Sequence, residues 1–177
     1  MSETAAEHKA EAQKQLNFAV IICSTSRYDE TSRAGRTDDV SGDLIVKMLR
    51  ENGHRVTMRR IIPDDKEQIQ HVLMRALKSR KVDAIIFSGG TGVSPKDVTI
   101  EAVKPILEKE IPGFGEIFRF LSYKKIGSAA ILTRALAGTC RGKAIFCLPG
   151  SPDSVSLALE KLIIPEVGHI IKHARES

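Results

Sequence analysis

Continuous apolar runs alternate along this chain with segments whose apolar positions recur every three to four residues. Residues 17–23 (Asn-Phe-Ala-Val-Ile-Ile-Cys) are such a run, the pattern of a parallel strand covered on both faces. Residues 24–39 are polar and read as a long loop. Leu44, Ile45, Met48 and Leu49 then line one face of a helix that opens near Ser41, and Asn52-Gly53 closes it with a left-handed cap. Residues 54–62 read as a strand. Pro63-Asp64-Asp65 turns into a helix with the stripe Ile69, Val72, Leu73, Ala76 and Leu77. A buried strand is expected at 82–87. A helix follows from about 97–99 through Ala102, Val103, Ile106 and Leu107, until residues 111–115 (Ile-Pro-Gly-Phe-Gly) break it. Residues 116–125 read as helical again, 128–136 fit helix and strand equally, and 144–148 form a last apolar strand. Ser151 as N-cap, with Pro152 in the first helical position, opens a helix whose stripe is Val155, Leu159, Leu162 and Ile163. Pro165 breaks or kinks it before a short terminal helix.

This alternation predicts an α/β protein, a single three-layer α/β/α domain with a mostly parallel sheet. Residues 1–15 are polar and read as a flexible N-terminal arm, with residues 16–177 forming the domain. Ligands in such sheets gather beyond the carboxyl ends of the strands. The loops at 24–39, 63–65, 88–97 and 149–152 should emerge there.

Composition narrows the partners. Across 177 residues, 42% are hydrophobic and 28% charged, the balance of a soluble globular protein. No apolar run approaches the ~20 residues that span a bilayer, and residues 1–15 lack a signal-peptide core. A cytoplasmic location without a membrane partner is the default. The net charge of +5 suits anionic ligands. Its basic residues are scattered, and six Phe and two Tyr without Trp offer little surface for base stacking, so no nucleic-acid partner is expected. Cys23, Cys140 and Cys147 have no metal-ligand spacing and read as buried, reduced thiols. His169 and His173 have a metal-ligand spacing, but without an evident third ligand a solvated helix face is favoured.

The candidate chemistry lies after the 82–87 strand, in Ser88-Gly89-Gly90-Thr91-Gly92-Val93-Ser94-Pro95-Lys96-Asp97-Val98-Thr99. Three glycines at a strand end let the backbone turn sharply and approach a phosphate. The segment is neither a Walker A loop nor a GxGxxG loop, so a plain tight turn stands beside the phosphate reading. Asp97 reads as a helix N-cap, as a Mg²⁺ ligand beside the glycines, or as both. Asp64 reads either as turn chemistry or as a second carboxylate in the same cleft. Pro149-Gly150-Ser151-Pro152 supplies helix-start amides and a hydroxyl at the same edge, either as a second anion site or simply as a helix start.

These residues resemble the MoaB/Mog family of molybdenum-cofactor biosynthesis proteins, and the MoaB branch in particular. The resemblance rests on the 88–99 segment together with Asp39-Val40-Ser41-Gly42, Ile62-Pro63-Asp64, Gly113-Phe114-Gly115-Glu116, Leu121-Ser122-Tyr123, Thr133-Arg134-Ala135 and Leu148-Pro149-Gly150-Ser151-Pro152, in family order over residues 17–172. It implies a molybdopterin-binding fold and adenylyl transfer from Mg-ATP to molybdopterin, giving adenylyl-molybdopterin and pyrophosphate. It implies Asp64 and Asp97 as catalytic and Mg²⁺-binding residues. Ser88, Gly89, Gly90, Thr91, Gly92, Ser94, Pro149, Gly150 and Ser151 would hold ATP and molybdopterin. It further implies a homo-oligomer, trimer or hexamer, and a downstream metal-insertion protein as partner. Retention of Asp97-Val98-Thr99 favours catalysis over the alternative, a non-catalytic molybdopterin-binding or carrier protein. Ile100 departs from the Pro common at that place in Mog-type members.

Overall fold

The computed structural model describes residues 15–176, so the expected arm lies, apart from Gln15, outside the described residues. Its sheet is built from β1 (Asn17–Cys23), β2 (Arg55–Ile62), β3 (Ala84–Ser88), β4 (Lys109–Glu110), β5 (Leu136–Cys140) and β6 (Lys143–Leu148), in the order β2-β1-β3-β6-β5-β4. β2, β1, β3 and β6 run parallel, and β5 and β4 close one edge antiparallel. The helices are α1 (Thr25–Ala34), α2 (Val40–Glu51), α3 (Lys66–Lys78), α4 (Thr99–Val103), α5 (Pro112–Ile126), α6 (Pro152–Ala158) and α7 (Ile164–Arg175).

Side-chain alternation along β1 splits the core in two. Phe18, Val20 and Ile22 join Ile86 and Phe146 beneath Ile45 and Leu49 of α2, Phe118 of α5, Val155 of α6 and Val167 of α7. Ala19, Ile21 and Cys23 join Ile85, Phe87 and Ile145 beneath Ile69 and Leu73 of α3 and Ala102 of α4. A strand buried on both faces has no polar side to show, which is why its sequence is an unbroken apolar run. The three-layer architecture is the one expected.

Several local expectations change. Residues 24–39 are not all loop: α1 occupies ten of them, capped by Ser24 and closed by Gly35 at φ 72°. None of its residues is buried, so it carries no apolar period that would reveal it. Helix α5 begins at Pro112 rather than after Gly115. Gly115 is there for space, because a Cβ at this position would stand 2.9 Å from the Ala135 carbonyl oxygen. Residues 127–132 form a 3₁₀ helix before β5. Pro165 sits in the first turn of α7, and the π turn Leu159–Ile163 ahead of it absorbs the missing N–H.

One polar cluster ties the amino ends of the strands together. Asp83 accepts from the Asn17 amide at 2.9 Å, from Asn17 Nδ2 at 2.9 Å and from Arg175 Nη2 at 2.7 Å. Burial pushes the Asp83 carboxyl up, but the bonds from Arg175 and Asn17 outweigh it and leave it below the usual carboxylate range. A carboxylate depressed in this way contributes its full stabilisation above about pH 4, the value in the unfolded chain. That contribution is lost as pH falls through the lower folded value. Asp83→Asn is expected to cost about 2 kcal/mol at pH 7 and to flatten the acid limb of the stability curve. Parallel acid limbs in urea denaturation of wild type and variant would contradict this.

Candidate active site

β1 leads to β2 on one side and lies against β3 on the other, so the crevice beyond the carboxyl ends of β1 and β3 is the switch point of the sheet. The loop after β3 fills that crevice. Gly89 (φ 100°) and Gly90 (φ 60°) adopt left-handed backbone. At Gly89 only glycine fits, since a Cβ would stand 2.2 Å from the Cys23 carbonyl oxygen. The Gly89 amide donates to the Leu148 carbonyl at 3.0 Å, and a Cβ on Gly150 would lie 3.2 Å from the Gly89 Cα. The loops after β3 and β6 are therefore in direct contact.

Thr99, fully buried at the start of α4, pins the loop. Its hydroxyl donates to the Gly89 carbonyl at 2.9 Å and its amide to the Gly90 carbonyl at 2.9 Å. The carbonyls of Gly89 and Gly90 are thus occupied. Among the described residues, the amides of Gly90, Thr91 and Gly92 have no hydrogen-bond acceptor. Three successive unclaimed N–H groups at a cavity wall suit a phosphate.

The two aspartates flank this tripeptide. A Cβ on Gly90 would come within 2.6 Å of Asp64 Oδ1, and one on Gly92 within 2.7 Å of Asp97 Oδ2. Asp64 Oδ2 accepts from the Thr25 amide at 2.9 Å and the Thr25 hydroxyl at 3.0 Å, which ties the start of α1 to the end of β2. Asp97 Oδ2 accepts from the Ser94 amide at 2.9 Å. Asp97 is not the N-cap of α4; Val98 holds that position without a side-chain bond. The Asp97 carboxylate instead closes the 94–97 turn. Helix capping next to the loop falls to Asp65, which accepts from the Gln68 amide at 2.9 Å.

A cavity of about 310 Å³ opens on this surface, lined by Gly90, Thr91, Gly92, Asp97, Pro149 and Gly150 together with Leu132, Thr133, Arg134 and Ser154. Arg134 Nη1 donates to the Gly92 carbonyl at 2.8 Å, and its Nη2 pairs with Glu101. Burial pushes the Glu101 carboxyl up, but the Arg134 partner more than offsets this and holds it low. The guanidinium brings a fixed positive charge to the wall beside Asp97. Sequence reasoning placed Thr133-Arg134-Ala135 among the resembling motifs without giving Arg134 a role. A lone cation on a segment with no apolar period carries no other signal.

Other expected site residues stand apart from the cavity wall. The Ser88 side chain is only 1% exposed, between Ile22 and Leu148 in the sheet, and its Oγ has no partner among the described residues. Its side chain is buried in the sheet and is not on the cavity wall, because the strand continues through residue 88. Ser94 serves the turn: its Oγ accepts from the Lys96 amide at 3.3 Å, and Lys96 is exposed. Ser151 caps α6 as expected and shares a 2.8 Å bond with Ser154, which does line the cavity. Burial pushes the Cys23 thiol beneath the loop up to about 12, so it is no nucleophile at neutral pH. All three cysteines are buried and unbridged.

Among the described residues, no cluster of three His, Cys, Asp or Glu side chains could enclose a metal. Magnesium does not need one, because it is commonly held by one or two carboxylates together with substrate phosphates and water. Asp64 and Asp97, each with Oδ1 unclaimed by a hydrogen bond among the described residues, fit that requirement. No helix among the described residues is long and apolar enough to cross a membrane.

Residues 19–169 match the family described as a probable molybdopterin binding domain. The chain is 46% identical over 165 residues to molybdenum cofactor biosynthesis protein B of Bacillus cereus, covering 93% of this chain and 94% of the relative. It is 44% identical over 174 residues to a molybdopterin adenylyltransferase of Pyrococcus furiosus, covering 96% and 98%. A crystal structure of molybdenum cofactor biosynthesis protein B superposes with a TM-score of 0.85 at 43% identity, covering 94% of this chain and all of that one. A glycine loop at the switch point, two carboxylates beside it and likeness over nearly the whole length agree: the chain belongs to the molybdopterin-binding family of molybdenum-cofactor biosynthesis proteins.

Proposed function

We propose that the protein is a molybdopterin adenylyltransferase whose reaction takes place over Gly90-Thr91-Gly92. The observation that carries this reading is the set of three unclaimed loop amides between two carboxylates. A terminal phosphate oxygen of molybdopterin attacks the α-phosphorus of ATP. A new P–O bond forms, the bond from the α-phosphorus to the α–β bridging oxygen breaks, and pyrophosphate leaves. Both reactants are anions, so the site has to offset their repulsion. The loop amides and Arg134 supply preorganised positive potential for that purpose. Asp64 and Asp97 are the residues that would hold Mg²⁺, whose charge stabilises the departing pyrophosphate when bound. Thr99 and Arg134 keep the loop carbonyls turned away from the phosphates.

Pyrophosphate release from Mg-ATP should therefore depend on added molybdopterin. Release that ignores the pterin would count against the reading. Loss of Arg134 removes a charged hydrogen bond worth ~1.5–3 kcal/mol. Arg134→Ala is expected to lower kcat/KM for ATP about ten- to hundredfold. An unchanged kcat/KM would remove Arg134 from the site.

The same reading places the protein in the cytoplasm, handing its product to a metal-insertion protein. It also takes the protein to be a homo-oligomer, trimer or hexamer. Phe114 and Phe118 of α5 are core residues. Ile117, Phe120, Tyr123 and Ile126 recur every three residues along α5 and are at least half exposed, and Leu132 continues this surface to the cavity rim. An apolar strip of that kind is covered in a stable assembly. Sedimentation of the wild type should give an oligomer and of Phe120→Asp a monomer; a wild-type monomer would refute the assignment.

A further inference from the structure

Helix α7 carries a cluster that adenylyl transfer leaves unused. His169 and His173 stand on adjacent turns with their Nε2 atoms 2.8 Å apart. The other nitrogen of each ring faces a carboxylate. His173 Nδ1 is 2.7 Å from Glu176 Oε2, and His169 Nδ1 is 3.5 Å from Glu166 Oε2. A carboxylate at Nδ1 draws the ring proton to that side, as in carboxylate–histidine–metal sites. With both protons so placed, the two Nε2 atoms stand close enough to bind one metal ion between them. Bonds of about 2.0–2.1 Å from one ion to both nitrogens would meet close to a right angle, as a tetragonal or octahedral ion requires.

Both rings line a cavity of about 420 Å³ between α7 and the β4–β5 edge of the sheet. Since no cluster of three His, Cys, Asp or Glu ligands exists among the described residues, water or an added ligand in this cavity would complete the coordination. The site is remote from the cleft. Arg175, at the end of α7, bonds Asp83 just before β3, whereas the glycine loop leaves the opposite end of that strand.

We propose that His169 and His173 chelate a late first-row divalent cation, Cu²⁺, Ni²⁺ or Zn²⁺, at a site separate from the two aspartates. Paired imidazoles suit these ions, whereas bare carboxylates suit magnesium. The test titrates the metal-free full chain with Zn²⁺ and Cu²⁺ by calorimetry, and examines bound Cu²⁺ by electron paramagnetic resonance. One ion per chain with hyperfine coupling to two imidazole nitrogens is expected. His169→Ala and His173→Ala should each weaken binding at least about tenfold, and Glu176→Gln about tenfold, the scale on which outer-shell partners act. His54→Ala and His71→Ala should leave it unchanged, and all these variants should keep adenylyl transfer. His173→Gln removes the ring while keeping a helix-compatible side chain, so loss of binding there is not a folding effect. Equal affinity in His169→Ala/His173→Ala, or no saturable binding by the wild type, would overturn the proposal and leave a pair that shares only a proton.

Discussion

Asp97→Asn and Asp64→Asn should each lower adenylyl-transfer turnover by at least about a hundredfold, the scale on which single electrostatic groups act on a transition state. Molybdopterin binding should be little changed. Asparagine keeps the size of aspartate and one acceptor oxygen. In Asp97→Asn it can still accept from the Ser94 amide and close the 94–97 turn. In Asp64→Asn it can still accept from Thr25 and hold the start of α1. What disappears is the negative charge beside Gly92 or Gly90, and with it one ligand for a hard divalent cation. Weakened magnesium dependence of the residual rate should accompany the loss. Wild-type turnover in both variants would sink the assignment of the carboxylates.

A fold effect of comparable size is expected at Gly89, immediately before the tripeptide Gly90-Thr91-Gly92. Gly89→Ala forces a side chain into left-handed backbone, at ~1–3 kcal/mol. It also drives a Cβ to 2.2 Å from the Cys23 carbonyl oxygen, and overpacking of that kind adds ~1–3 kcal/mol. The sum is about 4 kcal/mol, or roughly 10 °C in Tm for a protein of this size. Gly35 separates the two terms. Its φ of 72° is similarly left-handed, but a Cβ there would meet nothing within 4 Å. Gly35→Ala should therefore cost only the backbone part, about 1 kcal/mol. Equal melting temperatures for the two variants would show that Gly89 is not held against β1.

Burial decides how much of this was legible in the chain. β1, β3 and β6 are covered on both faces and announce themselves as apolar runs. β4 is two exposed residues, and β5 reads Leu-Ala-Gly-Thr-Cys, whose small side chains make room for a neighbouring backbone. A Cβ on Gly138 would stand 2.5 Å from the Lys109 carbonyl oxygen. Neither strand has a pattern to read. Helix α1 stayed hidden because a solvated helix needs no apolar stripe, and its anchor, the bond from Thr25 to Asp64, spans 39 positions. The candidate site was legible in kind: glycines and two aspartates at loops that share one sheet edge. Its geometry was not. That Asp97 closes its own turn, that Ser88 is buried in the sheet and that Arg134 lies on the cavity wall are all consequences of tertiary packing.

The most direct test of the account follows the α-phosphate of ATP. With enzyme in excess over molybdopterin, magnesium and ATP labelled at the α-phosphorus, a single turnover should move the label onto the pterin and release one pyrophosphate for each label transferred. Tight binding of molybdopterin with all label remaining in ATP would contradict it, and would make the protein a carrier rather than a catalyst.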